Sequence, residues 1–161
     1  MGRDAELARL VRMVESGEPS ALLVTGDAGA GRSALLGHAA RHARDLGMTV
    51  LEGQGDGVPF GCLNQVLLPL LDGLDERERA GLRPVLELDA DAPSPPAGVA
   101  AAVLRLLAAR FATRPGLLVV DDLHLADPRS LHVLRFVAQR GGHLGFRTLA
   151  AAGHACADGL G

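Results

Sequence analysis

Lysine is missing from this chain: its 16 basic residues other than histidine are all arginine, set against 19 acidic residues for a formal net charge of −3. Aromatic residues make up only 2% of it and no basic tract stands out. The electrostatic footprint of a nucleic-acid binder is therefore absent, and any DNA contact has to come from residues outside this chain. No uninterrupted apolar run approaches the length of a membrane span, and the opening Met1-Gly2-Arg3-Asp4-Ala5-Glu6 is charged with no apolar segment behind it. A soluble, cytoplasmic protein without membrane contact is expected. Cysteine is scarce too: Cys62 and Cys156 stand alone in a chain with no secretory signal, which favours reduced thiols over a disulfide framework. What the chain does have is apolar bulk. Hydrophobic residues are 48% of its 161 positions, enough for a core, and that length most simply makes one domain.

The apolar residues fall into alternating strand and helix patterns. Leu7, Leu10, Val11 and Val14 mark a lead-in helix capped by Asp4 and stopped by Ser16-Gly17-Glu18-Pro19. Ala21 to Thr25 reads as a buried strand, and Ser33 to Leu46 as a helix with Leu35, Ala39, Ala43 and Leu46 on one side. Met48 to Leu51 gives a second strand. A leucine-rich helix over 61–71 follows, bent at Pro69, then a charged helical stretch over 75–88 and a proline-rich connector over 89–96. Ala97 to Phe111 forms a further helix, Leu117 to Asp122 a buried strand, Ser130 to Gln139 another helix and Thr148 to Ala152 a weak last strand. Strands alternating with helices imply an α/β fold, a parallel sheet of about four strands covered on both faces. Ligands in such folds sit at the carboxyl ends of the strands.

Two motifs are expected at that edge. Gly26-Asp27-Ala28-Gly29-Ala30-Gly31-Arg32-Ser33 matches the phosphate-cradling pattern G-x-x-x-x-G-K-[ST] with arginine in place of lysine, between a strand and a helix as the pattern requires. Glycines allow the backbone N–H groups of such a turn to converge on phosphates, and the following helix adds its positive end. Ser33 would place its hydroxyl on Mg2+. Guanidinium is planar and wider than an ammonium, so Arg32 is not a conservative exchange. Losing one charge-assisted contact costs roughly 1.5 to 3 kcal/mol, about tenfold to over a hundredfold in affinity, so weak binding with little or no hydrolysis is expected. The second motif is the strand ending in Asp121-Asp122, with Asp121 the partner of Mg2+ through water and Asp122 the base or water-orienting residue. His38 and His42 share the spacing of metal-binding histidines but lack the glutamate of H-E-x-x-H, and read as a solvated helix face. His154 and Cys156 are too few for a metal site, and there is no G-x-S-x-G elbow.

Gly2-Arg3-Asp4-x-Glu6-Leu7, the altered loop, Val58-Pro59-Phe60-Gly61 and the run Leu117 to Asp122 continuing as Leu123-His124-Leu125-Ala126-Asp127-Pro128-x-Ser130-Leu131 form a series. It resembles the N-terminal ATPase module of large LuxR-type transcriptional regulators, within the AAA+-like and STAND group of P-loop NTPases, over nearly the whole chain from Gly2 to about Ala152. The resemblance implies a three-layer P-loop core that binds ATP with Mg2+ through Gly26 to Ser33, with Asp121 on the metal, Asp122 on the attacking water and Gly2-Arg3-Asp4 near the adenine. It leaves the roles of His124 and Asp127 open. It also implies a conformational switch acting on a remote DNA-binding domain, so slow turnover is compatible with function, and association with further copies or with a related full-length regulator. The chain departs from the family at Arg32, at the end of the fourth strand, where Ala151-Ala152-Gly153-His154 offers no usual polar sensor, and in stopping before a fifth strand, the lid and a helix-turn-helix domain. Residues 1–161 are thus expected to be a single, incomplete P-loop domain whose first strand becomes an exposed edge. Two functions follow as alternatives: an ATP-binding regulatory module, or a nucleotide-free module that associates with a related regulator through that edge. A GTPase is disfavoured, since its N-K-x-D motif needs a lysine.

Overall fold

The computed structural model describes residues 2–27, 31–89, 91–92 and 98–153. Its elements follow the order α1 (Gly2–Ser16), β1 (Ala21–Thr25), α2 (Arg32–Asp45), β2 (Thr49–Gln54), α3 (Gly61–Leu67), α4 (Glu76–Gly81), α5 (Arg83–Leu86), α6 (Gly98–Arg110), β3 (Gly116–Asp121), α7 (Pro128–Arg140) and β4 (Phe146–Ala152). The four strands form one parallel sheet in the order β1-β4-β3-β2. The α/β fold with a four-stranded parallel sheet expected from the sequence is what forms.

The sheet order follows from which strands tolerate full burial. Leu117, Leu118, Val119 and Val120 are all buried, which suits β3 for an inner position with helices on both faces. β4 lies beside it, with Leu149, Ala150, Ala151 and Ala152 buried. Two apolar clusters fill the space above and below. On one face Leu10, Met13 and Val14 of α1 and Leu35, Leu36, Ala39, Ala40 and Ala43 of α2 meet Leu117, Val119 and Leu149. On the other Leu63, Val66, Val103, Leu107, Val133 and Val137 from α3, α6 and α7 meet Leu118 and Val120. β1 is different: among the described residues it pairs on one side only, with β4, and its Leu22, Leu23 and Val24 are half-exposed. No helix among the described residues is long and apolar enough to cross a membrane.

Several boundaries move from where apolar spacing puts them. α1 begins at Gly2, so Asp4 lies in its first turn rather than capping it, where a carboxylate still complements the helix dipole. Met13, not Val11, is the fully buried member of its inner stripe. β2 runs on to Gln54 because its polar end keeps pairing with Val119, Val120 and Asp121. The leucine-rich helix stops at Leu67 and continues as a 3-10 helix over Leu68–Gly73, since Pro69 supplies no N–H for a third α-helical turn. The charged stretch splits in two, its first helix opened by a reciprocal capping box between Asp75 and Glu78. Ala97, the expected start of α6, lies outside the described residues, as does most of the proline-rich connector.

Candidate functional site

All four strands run the same way, so the loops after β1, β2, β3 and β4 share one edge of the sheet. β1 delivers Gly26 and Asp27; Ala28, Gly29 and Ala30 lie outside the described residues; and Gly31 resumes at the start of α2. Gly31 has φ 81°, a backbone that side chains rarely adopt, and caps α2 without any side-chain hydrogen bond. The first N–H groups of α2 therefore keep their donors turned outward, as an anion site requires.

Across the edge, β3 ends at Asp121. The Ser33 hydroxyl donates to Asp121 Oδ2 at 2.5 Å, joining two residues 88 positions apart in sequence. Asp121 Oδ1 accepts the Asp122 N–H at 2.8 Å. Asp122 has already left the strand, at φ 48°, and its Oδ2 accepts from Gln54 Nε2 at 2.8 Å. Gln54, at the end of β2, is gripped in turn by Gln65 of α3, which accepts the Gln54 N–H at 2.9 Å and donates to Asp56 Oδ2 at 3.1 Å. Gly55 lets these loops close, because a Cβ there would fall 2.1 Å from the Asp122 carbonyl oxygen. A cleft of about 280 Å³ opens at this junction, lined by Ser33, Gly37, Gln54, Gln65 and Asp121 among others.

A serine hydroxyl and a carboxylate are hard oxygen donors, the kind that Mg2+ takes alongside phosphates and water. In the structure the hydroxyl proton occupies the carboxylate oxygen that a cation would take over. The pair fits Mg2+ held partly by a ligand of its own. Among the described residues no group of three or more His, Cys, Asp and Glu could hold a metal by itself. His42 of the His38/His42 pair meets Glu15 of α1 at 3.0 Å, so that face of α2 belongs to helix packing.

Arg32 turns back on its own loop, its Nη1 donating to the Gly26 carbonyl at 2.5 Å. His124, three residues past Asp121, accepts the Gly153 N–H on Nδ1 at 3.0 Å, tying the loop after β3 to the end of β4. Asp127 is buried, and its Oδ2 accepts both the Phe60 N–H and the Ser130 N–H at 2.9 Å. It thus caps α7 and pins the loop carrying Val58-Pro59-Phe60-Gly61 at once. Cys62 lies beneath, its thiol pushed up to about 12 by burial first and then by the carboxylates of Asp127 and Asp56. It is a buried, packed thiol, and Cys156 lies outside the described residues. Asp4, expected near a nucleotide base, is exposed on α1 and does not line the cleft of about 120 Å³ between Glu6 and Arg9 of that helix and Leu22 to Thr25 of β1.

Sequence reading names Ser33, Asp121 and Asp122, and these three do come to one junction. It misses Gln54 and Gln65, whose partners are distant in the chain and which no motif marks. The capping role of Asp127 had a signal, an acid followed by proline at the first helical position. A larger groove, about 320 Å³, lies elsewhere: it runs between β1 and α7, is mostly apolar and holds no carboxylate, so the smaller cleft is the better candidate.

The AAA ATPase domain family model matches residues 1–149 of the chain. No curated protein matches it. Among solved structures, C. elegans PCH-2 is similar with a TM-score of 0.44 and 11% identity, over 92% of this chain and 36% of that one. Thermomonospora curvata EccC, ATPases 2 and 3 in complex with a signal sequence peptide, is similar with a TM-score of 0.45 and 16% identity, over 86% of this chain and 26% of that one. The chain thus spans well under half the length of either protein.

Proposed function

From its place in the AAA ATPase domain family, to which the chain belongs, we propose that it is the ATP-binding switch module of a LuxR-type transcriptional regulator, with weak or no hydrolysis. The observation that carries the nucleotide part is the Ser33–Asp121 hydrogen bond, which unites the loop motif with the acidic strand end. In this reading Gly26, Asp27, Ala28, Gly29, Ala30, Gly31, Arg32 and Ser33 surround the phosphates of ATP. Ser33 and, through water, Asp121 hold Mg2+, which neutralises phosphate charge when bound. Asp122 orients the attacking water, held in its present position by Gln54. The regulator reading rests on the sequence series from Gly2 to Leu131; it makes residues 1–161 one P-loop domain in the cytoplasm, with DNA contacts made by other residues and association with further copies or a full-length relative.

Arg32 sets the expected strength. Its bond to the Gly26 carbonyl must be given up or shared before the guanidinium can serve a phosphate, whereas backbone donors are unaffected. Calorimetric titration of ATP and GTP with magnesium tests this. Saturable ATP binding is expected, tightened about tenfold or more in Arg32→Lys. A folded protein that shows no saturable binding at millimolar ATP overturns the reading. That result would favour the second function, a nucleotide-free association module, which the one-sided pairing of β1 and the apolar groove beside it support.

A further inference from the structure

The groove between β1 and α7 takes no part in the nucleotide site, and its walls define what can fill it. From α7 come Leu131, Leu134, Arg135 and Ala138, spaced i, i+3, i+4, i+7, the stripe by which one helix packs along another. The residues that seat α7 in the core lie on another side of it, where Val133 and Val137 are buried. Opposite the stripe stand Ala21, Leu22 and Leu23 of β1. On the other face of the sheet Leu22 and Val24 pack against the cluster built by α1 and α2, whereas on this face Leu23 borders the groove. Thr148 of β4 also lines it, 7% exposed, and the Thr148 hydroxyl has no hydrogen-bond partner among the described residues. A covering segment that offers one polar atom there removes the cost of that orphaned group.

Charge beside the groove has one sign. α7 carries Arg129, Arg135 and Arg140 and not one acidic residue from Pro128 to Arg140, and the β1 and β4 residues of the groove are uncharged. Arg135 and Gln139, both exposed, form the rim on the α7 side. We propose that this groove docks an amphipathic helix of a partner protein, its apolar stripe against Leu131, Ala138 and Leu23 and its acidic flank over Arg135. Apolar area leaving water on both surfaces supplies the adhesion. The carboxylates decide which helix is accepted, because a basic flank would meet a like charge. No nucleotide is required for such docking; it rests on the association reading above and moves the contact from the edge of β1 to the face of the sheet.

The probe is a synthetic peptide of about 18 residues with leucines at helical spacing, one serine among them and glutamates on both flanks, compared with a counterpart carrying lysines for the glutamates. Amide resonances report where each binds, and calorimetry how tightly. The glutamate peptide should bind saturably below about 1 mM, moving the amides of Ala138, Thr148 and Ala150, and the lysine peptide should bind about threefold or more weakly. Ala138→Arg, at a half-buried place in the groove, should weaken the glutamate peptide about tenfold or more, and Arg135→Glu should reverse the preference between the two peptides. Retained dispersion of the amide spectrum verifies that each variant is folded. Equal affinity for both peptides, indifference to either substitution, or no saturable binding at about 1 mM overturns the inference. Shifts confined to Leu22 and Val24 also overturn it, while leaving association through the β1 edge standing. Concentration-dependent dimers of the chain that are lost in Ala138→Arg overturn it in favour of a second copy.

Discussion

β1 and β3 look alike as sequences, Ala21-Leu22-Leu23-Val24-Thr25 against Gly116-Leu117-Leu118-Val119-Val120-Asp121, and each leads into one half of the candidate site. The structure treats them oppositely. β3 pairs on both sides and is buried as far as Val120, whereas among the described residues β1 pairs only with β4 and leaves its apolar residues half-exposed. The difference continues into the loops. After β3 nearly every polar side chain is held: Asp121 by Ser33, Asp122 by Gln54, His124 by Gly153, Asp127 by two backbone N–H groups. After β1, among the described residues, Arg32 folds back onto the Gly26 carbonyl and Ser33 reaches across to Asp121. The carboxylate half is thus braced by contacts with distant parts of the chain.

The strongest way to break that contrast is to cut equivalent leucines from the two strands. Leu118→Ala, at a fully buried position, should cost about 2 to 5 kcal/mol in urea unfolding, and Leu23→Ala on β1 about 1 to 2. Equal losses would mean that the β1 edge is covered in solution. Removing a brace comes next. Asp127→Ala strips the acceptor from two buried N–H groups and should cost about 1 to 3 kcal/mol, whereas Ser33→Ala, on the exposed loop side, should stay within about 0.5.

Titration of Cys62 sharpens the picture of the braced half. Its thiol rises in the folded chain from the ordinary 9.0 to about 12, so folding favours the neutral form. The resulting stability is complete below pH 9 and is lost as pH climbs from 9 towards 12, a decline that Cys62→Ala should flatten in pH-dependent unfolding. Near neutral pH, peptide mapping after alkylation should find Cys62 unmodified until the chain unfolds. A modest effect is expected at Gln54→Ala. It releases one exposed hydrogen bond to Asp122, should change stability by about 0.5 to 1 kcal/mol, and should show mainly as a shifted Asp122 carboxyl resonance.

Much of the fold was legible because its signals are local. The run Ala21 to Thr25 matches β1 at both ends, and the helical spacing of Leu35, Ala39 and Ala43 places the inner face of α2. What failed did so for physical reasons. Nothing in Glu52-Gly53-Gln54 reads as strand, since its pairing comes from β3 and not from its own propensity. The edge position of β1, by contrast, was expected from the family resemblance, although apolar content alone gave no reason for it. In the site, Ser33 and Asp121 could be named from their motifs, whereas Gln54, 68 positions from Asp122, could only be found once the chain was folded. His124 stood in a recognisable pattern, yet its partner Gly153 is 29 positions away and glycine carries no side chain to advertise a contact.

The main chain at Asp122 has a further consequence. At φ 48° it lies in the left-handed region, which aspartate and asparagine enter more readily than longer or branched residues because their short side chains bond locally. Glutamate, whose carboxylate reaches one methylene further, has no such help and would meet that backbone at a cost. How far an acid extends into this cleft is thus decided by the corner that the chain turns after β3, and exchanging the side chain alone cannot lengthen it.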